Sequence, residues 1–210
     1  MCKNIITIGR QCGSGGHTVG KELAERLGIP LYDKEIIEIT AKKSGFDQKF
    51  IEEKEENRDP GMLKNFVRNF SYAGRAKYED YQPLEDQIFF AQRDVILELA
   101  KEGPCVIVGR CADHILEQKH NSLNVFIHAD MGFKIRHIIE RSIERSHVSE
   151  EDAEAISRKK DKLRSGHYYY YTGKKWGDSP NYHLCLDSSE PGIERCVSII
   201  EKLYLELNDT

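Results

Sequence analysis

The sequence predicts an α/β fold in which a five-stranded parallel sheet is flanked by helices. Two observations lead to this class. Five short runs of apolar or β-branched residues recur along the 210 residues, and helical patterns separate these runs. Strands that alternate with helices form parallel sheets with both faces covered.

The predicted strands are rich in Ile, Val and Leu and are bounded by glycine, proline or polar residues. They cover residues 4–9, 29–32, 105–109, 124–129 and 182–186. Between the second and third runs lie about 70 residues with mostly helical patterns. Such a connection is longer than an ordinary crossover, which predicts a helical insertion within one domain that spans residues 1–210.

The helix signals are local. Val19, Leu23 and Leu27 recur at four-residue spacing and predict a helix that ends before Gly28. Isoleucines in the segment 133–146 predict another helix on the same grounds. Ser149 followed by an acidic residue three positions later resembles a capping box, and a serine followed by an early proline predicts the start of the last helix near residues 188–191.

Composition excludes several classes of protein. The net charge of −4 and pI near 6.1 give no general attraction to nucleic acid, and no apolar run approaches the length of a membrane span. The first residues are too short an apolar stretch for a signal peptide. Six cysteines without a CxxC pair predict reduced thiols. We therefore expect a soluble, cytoplasmic protein.

The stretch GRQCGSGGHTVGKELA, residues 9–24, predicts an anion-binding loop between a strand and a helix. Glycines leave backbone N–H groups bare beside a helix N-terminus, which favours phosphate. The usual phosphate loop carries a lysine followed by Ser or Thr. Here Gly16 and His17 take those places, and Thr18 follows. Two alternatives stay open: a glycine turn that only allows close packing, and a dinucleotide site, for which Asp33 lies about 20 residues on.

Two further groups of charged residues stand where ligands bind in such folds. Arg110 follows Gly109 at the end of the third strand, where it can grip a phosphate with Asp113 fixing its guanidinium. The alternative is a surface arginine near a helix start. Asp161 and Arg164 belong to a basic segment, and they form either an ion pair on a solvated helix or part of a helix that closes over phosphates.

Four segments together resemble the cytidylate kinase-like family, a branch of the P-loop nucleoside monophosphate kinases. They read ITIGRQCGSGGHTVGKELAERLGIPLYDKEII, CVIVGRCADHIL, DKLRSGHYYYYTGKKWGD and NYHLCLDSS. The resemblance implies the P-loop NTPase type of five-stranded sheet. It also implies a monophosphate-binding insertion with its return helix at 34–104 and an Arg-bearing lid at 131–181.

The resemblance also implies roles for single residues. The phosphate loop matches at Gly13, Ser14, Gly15, Gly16, His17 and Thr18. Arg110 matches the arginine that contacts the monophosphate, Asp33 the acidic residue near the acceptor, and Asp161 with Arg164 part of the lid motif. Two positions depart from the pattern: Gly16 stands in place of the loop lysine, and Ser157 in place of the first lid arginine. The candidates to replace the missing charge are Arg10, His17 and Lys21, and Arg10 is preferred because it opens the loop.

The predicted function is transfer of the γ-phosphoryl group of ATP, with Mg²⁺, to a nucleoside monophosphate, most simply a CMP-like acceptor. The predicted partners are small-molecule nucleotides, without nucleic acid or membrane, and the oligomeric state stays open. The first alternative is a nucleotide-binding regulatory module that has lost turnover with the lysine. The second is a dinucleotide-dependent enzyme. The sequence assigns no metal ligands.

Overall fold

The computed structural model describes residues 4–51, 83–117, 122–142 and 148–208. Within them, the five predicted strands form one parallel sheet in the order β2-β3-β1-β4-β5, which confirms the predicted fold class. The strands are β1 (Ile5–Arg10), β2 (Leu31–Tyr32), β3 (Cys105–Val108), β4 (Ser122–His128) and β5 (Leu184–Asp187). The second strand is shorter than predicted because only its last two residues pair with β3.

Seven α-helices lie wholly within the described part of the chain. They are α1 (Gly16–Leu27), α2 (Glu35–Ser44), α3 (Leu84–Glu102), α4 (Ala112–Leu116), α5 (Met131–Ser142), α6 (Glu150–Thr172) and α7 (Gly192–Asn208). None of them is long and apolar enough to cross a membrane. The end of the predicted 133–146 helix and residues 52–82 of the predicted insertion lie outside the described residues.

The helix boundaries follow capping chemistry in two of three cases. Gly28 ends α1 with a left-handed backbone, φ 64°, and donates to the Ala24 carbonyl. The Ser149 hydroxyl accepts a hydrogen bond from the Asp152 amide at 3.1 Å, as the capping-box pattern predicts. The predicted serine–proline start of α7 was wrong, because the helix begins at Gly192, after the proline.

The core lies on both faces of β1. Ile6 and Ile8 pack on one face against α1 and α7, whereas Ile5 packs on the other face against α3. Alternate side chains of a strand point to opposite faces, so one short run supplies two cores. Each fully buried isoleucine contributes roughly 1.5–3 kcal/mol relative to an exposed one. This packing fixes the carboxyl end of β1.

The central place of β1 determines where a ligand can bind. It pairs with β3 on one side and with β4 on the other, so the chain leaves β1 at the point where the strand order reverses. Open parallel sheets bind ligands in the crevice at the carboxyl ends of such strands. Arg10 ends β1, and Gly109 directly follows β3, so both residues stand at this crevice.

Candidate phosphate-binding site

The glycine loop, residues 11–18, joins β1 to α1. Gly13 and Gly15 have φ values of 83° and 74°, a left-handed conformation that glycine adopts without strain. The Ser14 hydroxyl donates to the carbonyl oxygens of Gln11 and Ile127 at 2.9 and 3.1 Å and ties the loop to β4. No side chain caps α1. The first amides of α1 therefore lack helical acceptors and form a site that favours an anion.

Three of the loop glycines, Gly13, Gly15 and Gly16, allow close packing by neighbouring elements. A Cβ atom on Gly13 would lie 2.7 Å from the carbonyl oxygen of Lys134 in α5. A Cβ atom on Gly16 would lie 2.3 Å from the Cβ atom of Arg10. Gly16 has helical backbone geometry, so it is the neighbour and not the conformation that excludes a side chain there. The Arg10 side chain occupies the space beside Gly16.

Three basic side chains lie around the carboxylate of Asp33, which follows β2. One carboxylate oxygen lies 3.5 Å from an Nη atom of Arg10 and 3.5 Å from an Nη atom of Arg110. The other lies 3.5 Å from Nε2 of His17. Burial lowers the pKa of His17 below its ordinary value, although the Asp33 carboxylate acts in the opposite direction. The first three strands thus deliver one charge cluster to the crevice.

Arg110 stands in a strained turn. Gly109, Arg110 and Cys111 have φ values of 80°, 55° and 55°, so two residues with side chains adopt the left-handed conformation. Such a conformation is costly for residues other than glycine and is concentrated at functional sites. The prediction that Asp113 fixes Arg110 was wrong. Asp113 instead accepts a hydrogen bond from the Tyr168 hydroxyl at 2.7 Å, and burial raises its pKa.

Helix α6 docks on the backbone of the loop. Asp161 accepts a hydrogen bond from the Cys12 amide at 2.7 Å, and the Ser157 hydroxyl donates to the Cys12 carbonyl at 3.1 Å. An Nη atom of Arg164 donates to the Arg10 carbonyl at 3.1 Å. Asp161 and Arg164 thus both face the loop. The interpretation of these two residues as a solvated ion pair was wrong.

The structure also explains the departure at the first lid position. Ser157 is fully buried against the loop, a place where a long arginine side chain would not fit without displacing α6. Its neighbour Arg158 points away, with a side chain 67% exposed and paired with Glu154. Arg158 therefore does not replace the arginine at this position.

Lys134 is the residue that sequence reasoning missed. Its ammonium group lies 2.8 Å from Oδ2 of Asp161 and 3.4 Å from Oε1 of Gln11, and the residue is only 5% exposed. The available signal was its spacing, because Lys134 stands four residues before Ile138 on the apolar face of α5. Lys21, by contrast, has a 62% exposed side chain that pairs with Glu25.

Three arginines line one cavity between the carboxyl ends of β1 and β3 and helix α6. Its walls include Arg10, Arg110 and Arg164, together with Gly109, Tyr168 and Trp176. The described residues enclose about 60 Å³ there, whereas small-molecule sites hold roughly 300–1,000 Å³. This part of the crevice fits a group the size of phosphate.

The family follows from the sequence as a whole. The model of the cytidylate kinase-like family matches residues 5–190, which include every strand and the entire site. The chain belongs to the cytidylate kinase-like family. No curated protein sequence matches the chain significantly.

Solved structures agree with the fold. An uncharacterized protein from Eubacterium ventriosum is 29% identical, with a TM-score of 0.70 over 96% of this chain and 98% of that one. Shikimate kinase from Bacteroides thetaiotaomicron is 16% identical, with a TM-score of 0.52 over 96% and 98% of the two chains. A gluconokinase from Sinorhizobium meliloti is 13% identical, with a TM-score of 0.53 over 98% and 94%. The two kinases share the P-loop kinase fold with this family member.

Family membership raises the question of magnesium. Within the described residues, no three His, Cys, Asp or Glu side chains form a group that could hold a metal ion. The loop position that usually supplies a hydroxyl is His17, and both oxygens of Asp33 face basic groups. Mg²⁺ prefers oxygen ligands and often binds mainly through substrate phosphates. The described side chains therefore offer no cluster of three such ligands, and phosphate oxygens of a nucleotide would supply most of the ligands of a bound Mg²⁺.

Proposed function

We propose that this member of the cytidylate kinase-like family is an ATP-dependent phosphotransferase whose acceptor is a nucleoside monophosphate, with CMP the first candidate. The observation that carries the proposal is the convergence of Arg10, Arg110 and Arg164 on one phosphate-sized cavity next to the glycine loop. Phosphoryl transfer requires positioning and neutralisation of charge spread over the transferred group. In this proposal the three guanidinium groups both position the phosphates and neutralise their charge.

The donor site in this proposal is the glycine loop. The backbone amides between Gly13 and Thr18 and the positive end of the α1 dipole bind the β- and γ-phosphates of ATP. Mg²⁺ belongs to the nucleotide in this scheme, held by its phosphates and by water. Asp33 contributes by holding Arg10 and Arg110 in place, since its carboxylate lies 3.5 Å from each.

The reaction is an in-line exchange of one P–O bond for another. An oxygen of the acceptor phosphate forms a bond to the γ-phosphorus, while the bond from that phosphorus to the bridging oxygen of ADP breaks. ADP leaves with the electron pair of the broken bond. We assign Arg110 to the acceptor phosphate and Arg164 to the phosphoryl group in transit, because Arg164 belongs to the helix that contacts the loop.

Recognition of the acceptor beyond its phosphate falls, in this proposal, to the segment 34–104. The cavity at Arg110 is too small for a nucleoside, so we assign the base to this segment, in which the structure describes α2 and α3. The segment 131–181, which contains α5 and α6, acts as the lid. Its contacts with the loop backbone support this assignment.

A coupled assay over a panel of nucleoside monophosphates with ATP tests the proposal. We expect Arg110→Ala mainly to raise the acceptor KM. We expect Arg164→Ala to lower kcat by about 10²- to 10³-fold, the cost of removing one transition-state donor. Arg158→Ala is the control, since that side chain is exposed and pairs with Glu154. ATP binding without transfer to any acceptor would instead favour the regulatory-module alternative.

A further inference from the structure

Because residue 16 is glycine, the loop lacks the positive charge that a lysine would place there. Arg10 begins beside Gly16, but its guanidinium extends to Asp33 and to Gly109, whose added Cβ would lie 1.8 Å from Nη1 of Arg10. This places the charge of Arg10 on the acceptor side of the loop. Lys21 is exposed, and His17 has a pKa lowered by burial. The Arg10 guanidinium is thus directed toward Asp33 and β3, and the Lys21 side chain faces solvent.

Lys134 lies on the side of the loop that α6 contacts. Its backbone lies against Gly13, where an added Cβ would come within 3.0 Å of the Lys134 Cα atom. Its ammonium group donates hydrogen bonds to Gln11 in the loop and to Asp161 in α6. A lysine is almost never buried to this extent unless it is paired. The pairing here is with residues that themselves bind the loop, since Asp161 also accepts from the Cys12 amide at 2.7 Å.

The Asp161 carboxylate thus joins a backbone amide of the loop to a buried ammonium group. A phosphate oxygen at a P-loop binds the same two kinds of donor, a backbone N–H group and a lysine. The carboxylate is an anion of similar hydrogen-bonding capacity and lies 2.7 and 2.8 Å from these donors. The geometry is that of a site which already holds a negative group.

We propose that Lys134 is the phosphate-binding lysine of this protein, supplied by α5 in place of residue 16, and that Asp161 occupies it until a nucleotide binds. The proposal rests on the proposed function, because it assigns a residue of the same donor site. When the β- and γ-phosphates bind, the Lys134 ammonium group exchanges its contact with Asp161 for a contact with a phosphate oxygen. Nucleotide binding thereby changes the contact between α5 and α6.

The test compares pairs of variants by calorimetric titration with the non-hydrolysable β,γ-imido analogue of ATP. Lys134→Met alone leaves the Asp161 carboxylate buried without its partner, which is destabilising in itself. Asp161→Asn keeps an acceptor for the Cys12 amide and removes the charge, so Asp161→Asn and Lys134→Met/Asp161→Asn differ only in the lysine. Lys134→Arg keeps the charge, and Lys21→Met is the control for loss of a paired surface lysine.

We expect the double variant to bind the analogue at least about tenfold more weakly than Asp161→Asn. We expect Asp161→Asn to bind at least as tightly as the wild type, and Lys134→Arg to lie between the wild type and Lys134→Met. Adenosine, which has no phosphate, should not distinguish the variants. Equal affinity of Asp161→Asn and the double variant for the analogue would overturn the role of Lys134 alone. A wild type that does not bind the analogue would overturn the proposed donor site and this inference with it.

Discussion

Replacing Asp33 by asparagine removes the one carboxylate that the structure shows between two guanidinium groups and an imidazole. Each of the three N–O separations is 3.5 Å, and the side chains of Asp33 and Arg110 are 12% and 9% exposed. One such pair is worth about 4.7 kcal/mol by Coulomb's law at an effective dielectric of about 20, before desolvation is subtracted. Breaking a buried pair from one side costs roughly 3–5 kcal/mol.

We expect Asp33→Asn to lose about 3 kcal/mol of unfolding free energy, the lower end of that range, because the Arg10 side chain keeps some contact with water. For a chain of this length the loss corresponds to a fall in Tm of about 6–12 °C. Urea titration and thermal unfolding measure it. Asp94→Asn is the matched control, since its ion pair with Arg93 is exposed and is worth at most about 1 kcal/mol.

The same variant gives a second readout. Inorganic phosphate supplies the missing negative charge, so it should raise the Tm of Asp33→Asn more than that of the wild type. The reasoning fails if Asp33→Asn is no less stable than Asp94→Asn. Equal stabilisation of both proteins by phosphate would show that phosphate does not take the place of the Asp33 carboxylate between the arginines.

Two further predictions concern the loop itself. Gly16→Ala should cost about 1–3 kcal/mol in urea titration and weaken nucleotide binding, because its Cβ meets the Cβ of Arg10. The control is Gly45→Ala, because Gly45 has φ 75° and no neighbour within 4 Å of an added Cβ; it should cost about 1 kcal/mol and leave nucleotide binding unchanged. Equal nucleotide affinity of the two variants would contradict a role of Gly16 in binding. Burial lowers the pKa of His17, so the unfolded chain binds the proton at a higher pH than the folded protein does, and the unfolding free energy should fall as the pH drops below 6.5. Unfolding experiments on His17→Gln should show a smaller fall over the same pH range. Identical pH profiles for the variant and the wild type would exclude His17 as the cause.

The strands, the first helix and the glycine loop could be predicted because their signals are local. Ile6 and Ile8 belong to a run whose composition alone indicates a buried strand, and glycines mark the turn that follows it. The same holds for the Ser149 cap, which depends on residues three positions apart. Family resemblance implied the same five-stranded parallel sheet, whereas the order of its strands came only from the structure.

The contacts between distant segments could not be predicted in this way. Lys134 and Asp161 are 27 residues apart on two helices, and nothing in either helical pattern indicates that they meet. Asp113 was predicted to hold Arg110 because the two are close in sequence, but Arg110 is oriented by a left-handed turn toward Asp33, 77 positions away. Tertiary geometry decides the partner of a charged side chain, and sequence distance is a poor guide to it.

The close approach of Arg10 and Gly16 has a consequence for substitutions in this loop. A lysine at residue 16 places its Cβ 2.3 Å from a Cβ that every residue except glycine carries at residue 10. A single substitution therefore does not convert this loop into the lysine-bearing form, and neither does exchange of Arg10 for any smaller residue with a Cβ. A side chain at residue 10 and one at residue 16 therefore disfavour each other. We expect Arg10→Gly/Gly16→Lys to be more stable than Gly16→Lys alone.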